Sequence, residues 1–227
     1  MHSCYTASLE SAAVSVKLII VGAGGAGREV AEIARDVALE QDVDWVPFGF
    51  LDDDLSIASD ARLPLPLLGS ISAWTPSENR EVFICAIGDP SKRERIITSL
   101  ASRGAVFTQL IHPTARVALT AKIGTGVVVY PFTYISTNTQ IGAHVFINLH
   151  NAVGHDAEIG PFSVISSFCD VTGNVSIGER VFLGSHVSIA PGLKIGDDAM
   201  LGMGSVVVTN VRARKRVFGN PARAIKV

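Results

Sequence analysis

Every sixth residue from Ile111 to Val207 is Ile, Leu or Val, over seventeen positions without a break. On average composition such a run arises by chance roughly once in 10^10 trials. The residue that follows is often glycine, as at Gly124, Gly142, Gly154, Gly160, Gly178, Gly184, Gly196 and Gly202. The fifth position of the hexad is mostly small or aliphatic, as at Ala115, Ala121, Ala157, Ser163, Cys169, Val175 and Ala199. A hexad of this kind is one short strand and a turn. Three hexads close a triangular coil, the aliphatic points into the prism, and stacked coils satisfy one another's backbone hydrogen bonds. Seventeen hexads predict a parallel β-helix of five to six coils with no inserted loop. The period leaves its handedness open.

Composition narrows the function classes. Apolar residues make up 48% and charged residues 18%, so a real core can form. The net charge of −2 argues against a general binder of nucleic acid or of anionic membranes. No apolar run approaches the ~20 residues of a membrane span. Cys4, Cys85 and Cys169 are far apart and form no CxxC pair, which reads as reduced thiols of a cytoplasmic protein. Residues 1–16 lack a basic start and an apolar core, so they read as a flexible extension rather than a signal peptide.

Residues 17–108 have a different pattern. Lys17–Val21 is a buried-strand run, Gly22 to Gly27 is a glycine-rich turn, and Arg28–Leu39 is helical in character. A strand, a glycine-rich turn and a helix in that order form the unit that cradles phosphate on a helix N-terminus. A second strand near Val46–Leu51 ends in Asp52, Asp53 and Asp54, carboxylates suited to ribose or ring N–H groups. A third, Val82–Ile87, ends at Gly88, and Lys92-Arg93 opens a helix to about Ser102. Alternating strands and helices predict a small parallel sheet of Rossmann type. At this size it suits a mononucleotide better than a dinucleotide. A solvated acidic turn and an ordinary basic helix start are the plainer readings of the Asp and Lys-Arg clusters.

Among six histidines, His144, His150 and His186 fall at the fourth position of a hexad, whereas His155 falls at the third and precedes Asp156. A carboxylate beside an imidazole orients it and stabilises its protonated form, which suits a general base. Neighbouring residues pair in this way only at a bend, and hexad corners provide one. The bland alternative is a solvent-facing turn histidine.

The hexads, the GAGGAGRE turn (Gly22–Glu29), the FLDDD run (Phe50–Asp54) and Gly219-Asn220-Pro221-Ala222-Arg223 together resemble the bacterial nucleotide-sugar acetyltransferases of the sialic-acid-cluster and bacillosamine type (NeuD/PglD-like), over residues 17–227. The resemblance implies a left-handed helix and an acetyl-CoA-dependent N-acetyltransferase. It implies a nucleotide-sugar-binding domain at 17–108 and an acetyltransferase β-helix at 109–227. The acceptor it implies is the 4-amino group of a UDP-, dTDP- or GDP-linked 4-amino-4,6-dideoxy sugar, destined for bacterial glycan such as O-antigen. His155 would be the base, Asp156 its orienting partner and the Gly173 N–H the oxyanion donor. Gly173, Ser185, Gly202 and Met203 would line the coenzyme. Gly24, Ala26, Asp52, Asp53, Gly88 and Arg93 would meet the nucleotide sugar. The resemblance also implies a homotrimer with sites between subunits, and no metal. Ala26 stands where many relatives have histidine, and Val164 where the family has a second, coenzyme-contacting histidine. Arg212, Arg214, Lys215 and Arg216 form a basic cluster that either meets coenzyme phosphates or is a solvated tail.

Other readings stay open at this level. A sugar or sialic acid O-acetyltransferase would use the same base. A γ-class carbonic anhydrase would use His150 and His155 on zinc, with its third ligand expected near Thr114 while the nearest histidine is His112. A non-catalytic β-helix would have no use for His155, and a dehydrogenase would need a larger nucleotide domain.

Overall fold

The computed structural model describes residues 16–77 and 80–225. The expected extension at 1–16 lies outside them except for Val16, which opens the first strand; Cys4 and His2 are likewise outside.

The N-terminal unit is a four-stranded, all-parallel sheet of order β3-β2-β1-β4. Its strands are β1 (Val16–Val21), β2 (Trp45–Leu51), β3 (Leu67–Gly69) and β4 (Glu81–Cys85). Helix α1 (Gly25–Glu40) follows β1, and α2 (Pro90–Ala101) follows β4. Two expectations need correction. The helix after β1 begins at Gly25, inside the glycine-rich turn, not at Arg28. Strand β3 has no counterpart in the sequence reading, because its three residues are only half-buried and carry no alternation.

The face of α1 formed by Val30, Ala31, Ile33, Ala34 and Val37 buries against Leu18, Ile20 and Phe50. On the other face, Ile97 and Leu100 of α2 pack on Ile19, Val21, Phe83 and Cys85. Helices on both faces explain why β1 and β4 read as unbroken apolar runs instead of alternating.

The C-terminal unit is the expected left-handed β-helix. Seventeen two-residue strands, β5 (Leu110–Ile111) to β21 (Val206–Val207), recur every six residues. They form three parallel sheets, one per prism face, to which they give five, six and six strands; two further strands near the C-terminus extend one of the latter two sheets to eight. Partners in adjacent coils are eighteen residues apart, as in Ile141↔Ile159 and Val153↔Val171. The hexad aliphatics fill the prism from Val129 to Val207 in one continuous core. The fourth position of each hexad from Gly126 to Gly204 has a left-handed backbone, with φ near 57° at Asn138 and Asp156. These positions are the prism corners.

The lattice ends by contraction. Ile195 pairs with Val211 and Leu201 with Val217, sixteen residues on instead of eighteen. Strand β22 (Arg216–Phe218) then joins the eight-stranded sheet and pairs antiparallel with β23 (Arg223–Ala224).

The N-terminal unit sits on the eight-stranded face. Val128, Phe146 and Val164 point outward from that face and are buried with α1 and β1 in one cluster. Val164 is only 4% exposed, so a side chain there faces the N-terminal sheet rather than a coenzyme in solvent.

Candidate active site

His155 and Asp156 occupy the corner between the six- and five-stranded faces, between strands Ala152–Val153 and Glu158–Ile159. Asp156 holds the left-handed position, so its carboxylate folds back to His155, with Oδ2 at 2.7 Å from Nδ1. Its Oδ1 accepts from the Asn138 amide at 3.1 Å, one coil earlier. These two bonds hold the Asp156 carboxyl below its usual range, the imidazole contributing most and Asn138 next. Both side chains of the pair are about half exposed. With Nδ1 engaged by the carboxylate, Nε2 is the nitrogen left for an acceptor's proton.

One coil on, Gly173 lies beneath the imidazole. A Cβ at Gly173 would come within 2.6 Å of His155 Nε2. Only glycine therefore leaves the ring in this place. The Gly173 N–H has no hydrogen-bond acceptor among the described residues, whereas its carbonyl accepts from Gly192. A backbone N–H without a partner among the described residues, on the glycine packed against the imidazole, places a donor and a base at the same corner, the combination acyl transfer requires.

Ser185, Gly202 and Met203 lie on another corner, between the eight- and six-stranded faces. The Phe218 ring covers Gly202, where an added Cβ would meet it at 2.4 Å. Met203 is exposed. Four rings stack along this corner, Phe132, His150, Phe168 and His186, each 5.0 Å from the next. His150, proposed as a zinc ligand in one reading, is thus engaged on a different corner from His155. His112 bonds to Asp36 and Thr114. Among the described residues no group of three His, Cys, Asp or Glu side chains could hold a metal, and no helix is long and apolar enough to cross a membrane.

In the N-terminal unit, the sheet order places a topological switch between β1 and β4, where ligands of open parallel sheets bind. One wall is the turn from Gly22 to Gly25. Gly24 caps α1 with no side-chain partner and no acidic residue in the first turn, and nothing stands within 4 Å of a Cβ built at Gly24 or Gly25. The helix N-terminus is open to an anion, flanked by half-buried Ala26. Gly27 is needed for packing, since a Cβ there would strike the Gly22 carbonyl oxygen at 2.0 Å. The opposite wall is Ile87–Gly88, with Gly88 exposed. The α2 N-terminus is already capped by Asp89, which accepts from the Lys92 N–H.

The two aspartates differ. Both Asp52 oxygens are used, accepting from the Ala23 and Asp54 N–H groups, so Asp52 shapes the glycine turn. Asp53 is exposed and accepts from Ser72 through one oxygen. Arg93, which the resemblance assigns to the nucleotide sugar and the plainer reading to an exposed helix start, has no exposed surface for either. It is fully buried and donates to the carbonyls of His144, Cys85 and Ile87. His144, whose Nδ1 has no partner among the described residues, is held neutral with its pKa lowered to about 4 by burial and then by the Arg93 charge.

Sequence reasoning missed Asn138 and Tyr130. Asn138 was findable, since it lies one coil period before Asp156. Tyr130, buried with its hydroxyl 3.5 Å from the Ala26 carbonyl, carries no such signal.

Residues 17–100 match the PglD N-terminal domain family, and residues 174–209 match the bacterial transferase hexapeptide repeats. A GDP-perosamine N-acetyltransferase of Escherichia coli O157:H7 is 31% identical over 146 residues, covering 60% of this chain and 61% of that relative. The match thus spans less than two thirds of that relative's length. A mutant perosamine N-acetyltransferase from Caulobacter crescentus, solved with CoA and GDP-perosamine, superposes with a TM-score of 0.84 at 28% identity, over 96% of this chain and 100% of its own. The acetyltransferase domain of PglB from Neisseria gonorrhoeae, solved with acetyl coenzyme A, gives 0.85 at 28%, over 93% and 100%. Fold and site together define a left-handed β-helix of the hexapeptide-transferase class with a small nucleotide-binding-type sheet on one face. Within that class the chain is similar to the NeuD/PglD-like bacterial nucleotide-sugar acetyltransferases.

Proposed function

We propose that this protein transfers the acetyl group of acetyl-CoA to the 4-amino group of a nucleotide-linked 4-amino-4,6-dideoxy sugar, with GDP-perosamine the first acceptor to test. Residues 17–108 bind the nucleotide sugar through the β1–β4 crevice, using Gly24, Ala26, Asp53 and Gly88. Residues 109–227 carry the chemistry and, at Ser185, Gly202 and Met203, the coenzyme. His155 Nε2 takes a proton from the amine as its nitrogen attacks the thioester carbon. The Gly173 N–H stabilises the oxyanion, and coenzyme A thiolate leaves and recovers the proton from the imidazolium. Asp156 keeps the imidazole in the tautomer this requires.

The observation that carries this reading is the 2.7 Å His155–Asp156 bond at a corner where Gly173 presents a free N–H. A further point supports an assembly in which copies complete one another's sites, a homotrimer in the cytoplasm. The N-terminal unit covers the eight-stranded face, and His155 stands at the corner opposite that face. The crevice of one copy therefore serves the His155 of a neighbour.

Thiol release from acetyl-CoA with GDP-, UDP- and dTDP-linked 4-amino sugars tests the activity. His155→Ala should lower kcat by about 10²- to 10⁴-fold, the usual contribution of a general base. An unchanged rate would remove His155 from the reaction, and a wild-type protein silent toward all three acceptors would refute the substrate class.

A further inference from the structure

A charged side chain with no exposed surface and no carboxylate partner among the described residues needs an explanation, and Arg93 is one. It belongs to the first turn of α2, yet its relative exposure is 0%. Its Nε donates to the His144 carbonyl at 2.6 Å, on the corner between the five- and eight-stranded faces. Its Nη1 donates to the Cys85 and Ile87 carbonyls at 2.8 and 3.2 Å, at the carboxyl end of β4. Its guanidinium lies 5.1 Å from the Phe146 ring centroid, and Nη2 has no partner among the described residues. Burying a guanidinium on carbonyls alone is a costly way to tie two units together, since an apolar contact of the same volume is cheaper. What the guanidinium offers is geometry. Its planar fork fixes two carbonyls on one side and a third on the other.

The Cys85–Ile87 segment is the wall of the β1–β4 crevice that ends in Gly88. The opposite wall also touches the β-helix, through Tyr130 beneath Ala26. Arg93 therefore sets where one wall of the crevice stands relative to the prism, and through the prism relative to the catalytic corners.

We propose that Arg93 is a positioning residue: it holds the nucleotide crevice at the reach that brings the acceptor amine to the His155 of a neighbouring copy, without touching the ligand itself. This rests on the acetyltransferase reading above. Misplacing reacting groups by about 1 Å lowers turnover by as much as ~10²-fold while leaving binding largely intact.

The test uses the full chain with Arg93→Met, which keeps length and loses every donor, and Arg93→Lys, which keeps one donor and the charge. Thermal melts confirm folding. GDP affinity, kcat and the two KM values are then measured. Arg93→Met should bind GDP within about 3-fold of wild type, keep its KM for acetyl-CoA, and lose about 10²-fold in kcat with GDP-perosamine. Arg93→Lys should fall between. A lowered melting point with unchanged kcat would make Arg93 a structural tie only, and a GDP affinity lost in parallel with activity would make it a ligand contact. Either result overturns the proposal. If Arg93→Met does not fold, the kcat of Arg93→Lys decides alone. If the wild type acetylates nothing, the acetyltransferase reading falls, and amide exchange still tests the tie. Exchange should rise in Arg93→Met at both Cys85–Gly88 and Val145–Ile147, and unchanged protection there would sink it.

Discussion

At position 156 the chain needs a residue that tolerates a φ of 57° and also grips an imidazole. Aspartate does both, because its short polar side chain is among the few that enter the left-handed region readily. The corner that bends the backbone is therefore also the device that aims His155. Gly173 solves the complementary problem of leaving room for the ring. We expect Gly173→Ala to fold normally, since its backbone is not in a left-handed conformation and the site is on the surface. The new Cβ must displace the half-exposed imidazole that now lies 2.6 Å from that point. The Asp156 bond is lost with it, and kcat should drop by about 10-fold or more, the low end of what a general base contributes. A rate within a factor of about two of wild type would mean the ring is free to sit elsewhere during turnover. At this scale the sequence was informative. His155 stood out because it lies off the fourth-position pattern of the other corner histidines. What adjacency could not reveal was Asn138 and Gly173, and the coil period alone puts both beside the pair.

The hexad lattice was legible in full because each position reports independently on whether it faces the prism. The fifth position carried more than its small size suggested. Thr133, Thr139, Ser163 and Cys169 are buried, and each bonds to the carbonyl fifteen residues ahead, at Asn148, Gly154, Gly178 and Gly184. Ser163 also accepts from the Val181 N–H. Ser205 is equally buried but its hydroxyl has no partner among the described residues, at the point where the lattice contracts by two residues after Val207. Two identical chemical changes should thus have opposite results. Ser163→Ala strips a partner from two backbone groups and should cost about 1–3 kcal/mol. Ser205→Ala removes only an unsatisfied hydroxyl and should be neutral or slightly stabilising. Urea titration of the two variants checks this, and equal losses would show that the hydroxyls act through volume rather than hydrogen bonds. In the N-terminal unit β3 escaped the sequence reading for the converse reason. Three half-buried residues beside prolines give no periodic signal, and their pairing with Phe50 and Leu51 comes only from tertiary contact.

Which face of the prism the N-terminal unit covers is a property of the whole chain, and no local pattern announced it. It is written into outward-facing positions of the eight-stranded face, where Val128, Phe146 and Val164 replace the polar or charged residues found on the five-stranded face, such as Lys122, Gln140 and Glu158. Arg93 belongs to the same class of fact, since its burial is decided by His144, fifty-one residues away. The placement has a consequence for assembly. His155 lies opposite the covered face, and Ser185 lies on a separate corner, so on the proposed reading each complete site draws its base and its coenzyme corner from different copies. Subunit complementation measures this directly. His155→Ala removes the base but leaves the Ser185 corner intact, while Ser185→Trp blocks that corner and leaves His155 intact. Each should be inactive alone. Unfolded together in equal amounts and refolded as random trimers, about a quarter of the interfaces would pair an intact base with an intact corner. The mixture should then recover about a quarter of the wild-type rate, a value fixed by counting rather than by any contact energy. Sedimentation confirms that trimers form, and mass spectrometry that both variants enter them. Mixed trimers without recovered activity would place the base and the coenzyme corner of each site in one copy, contrary to the geometry of the three corners.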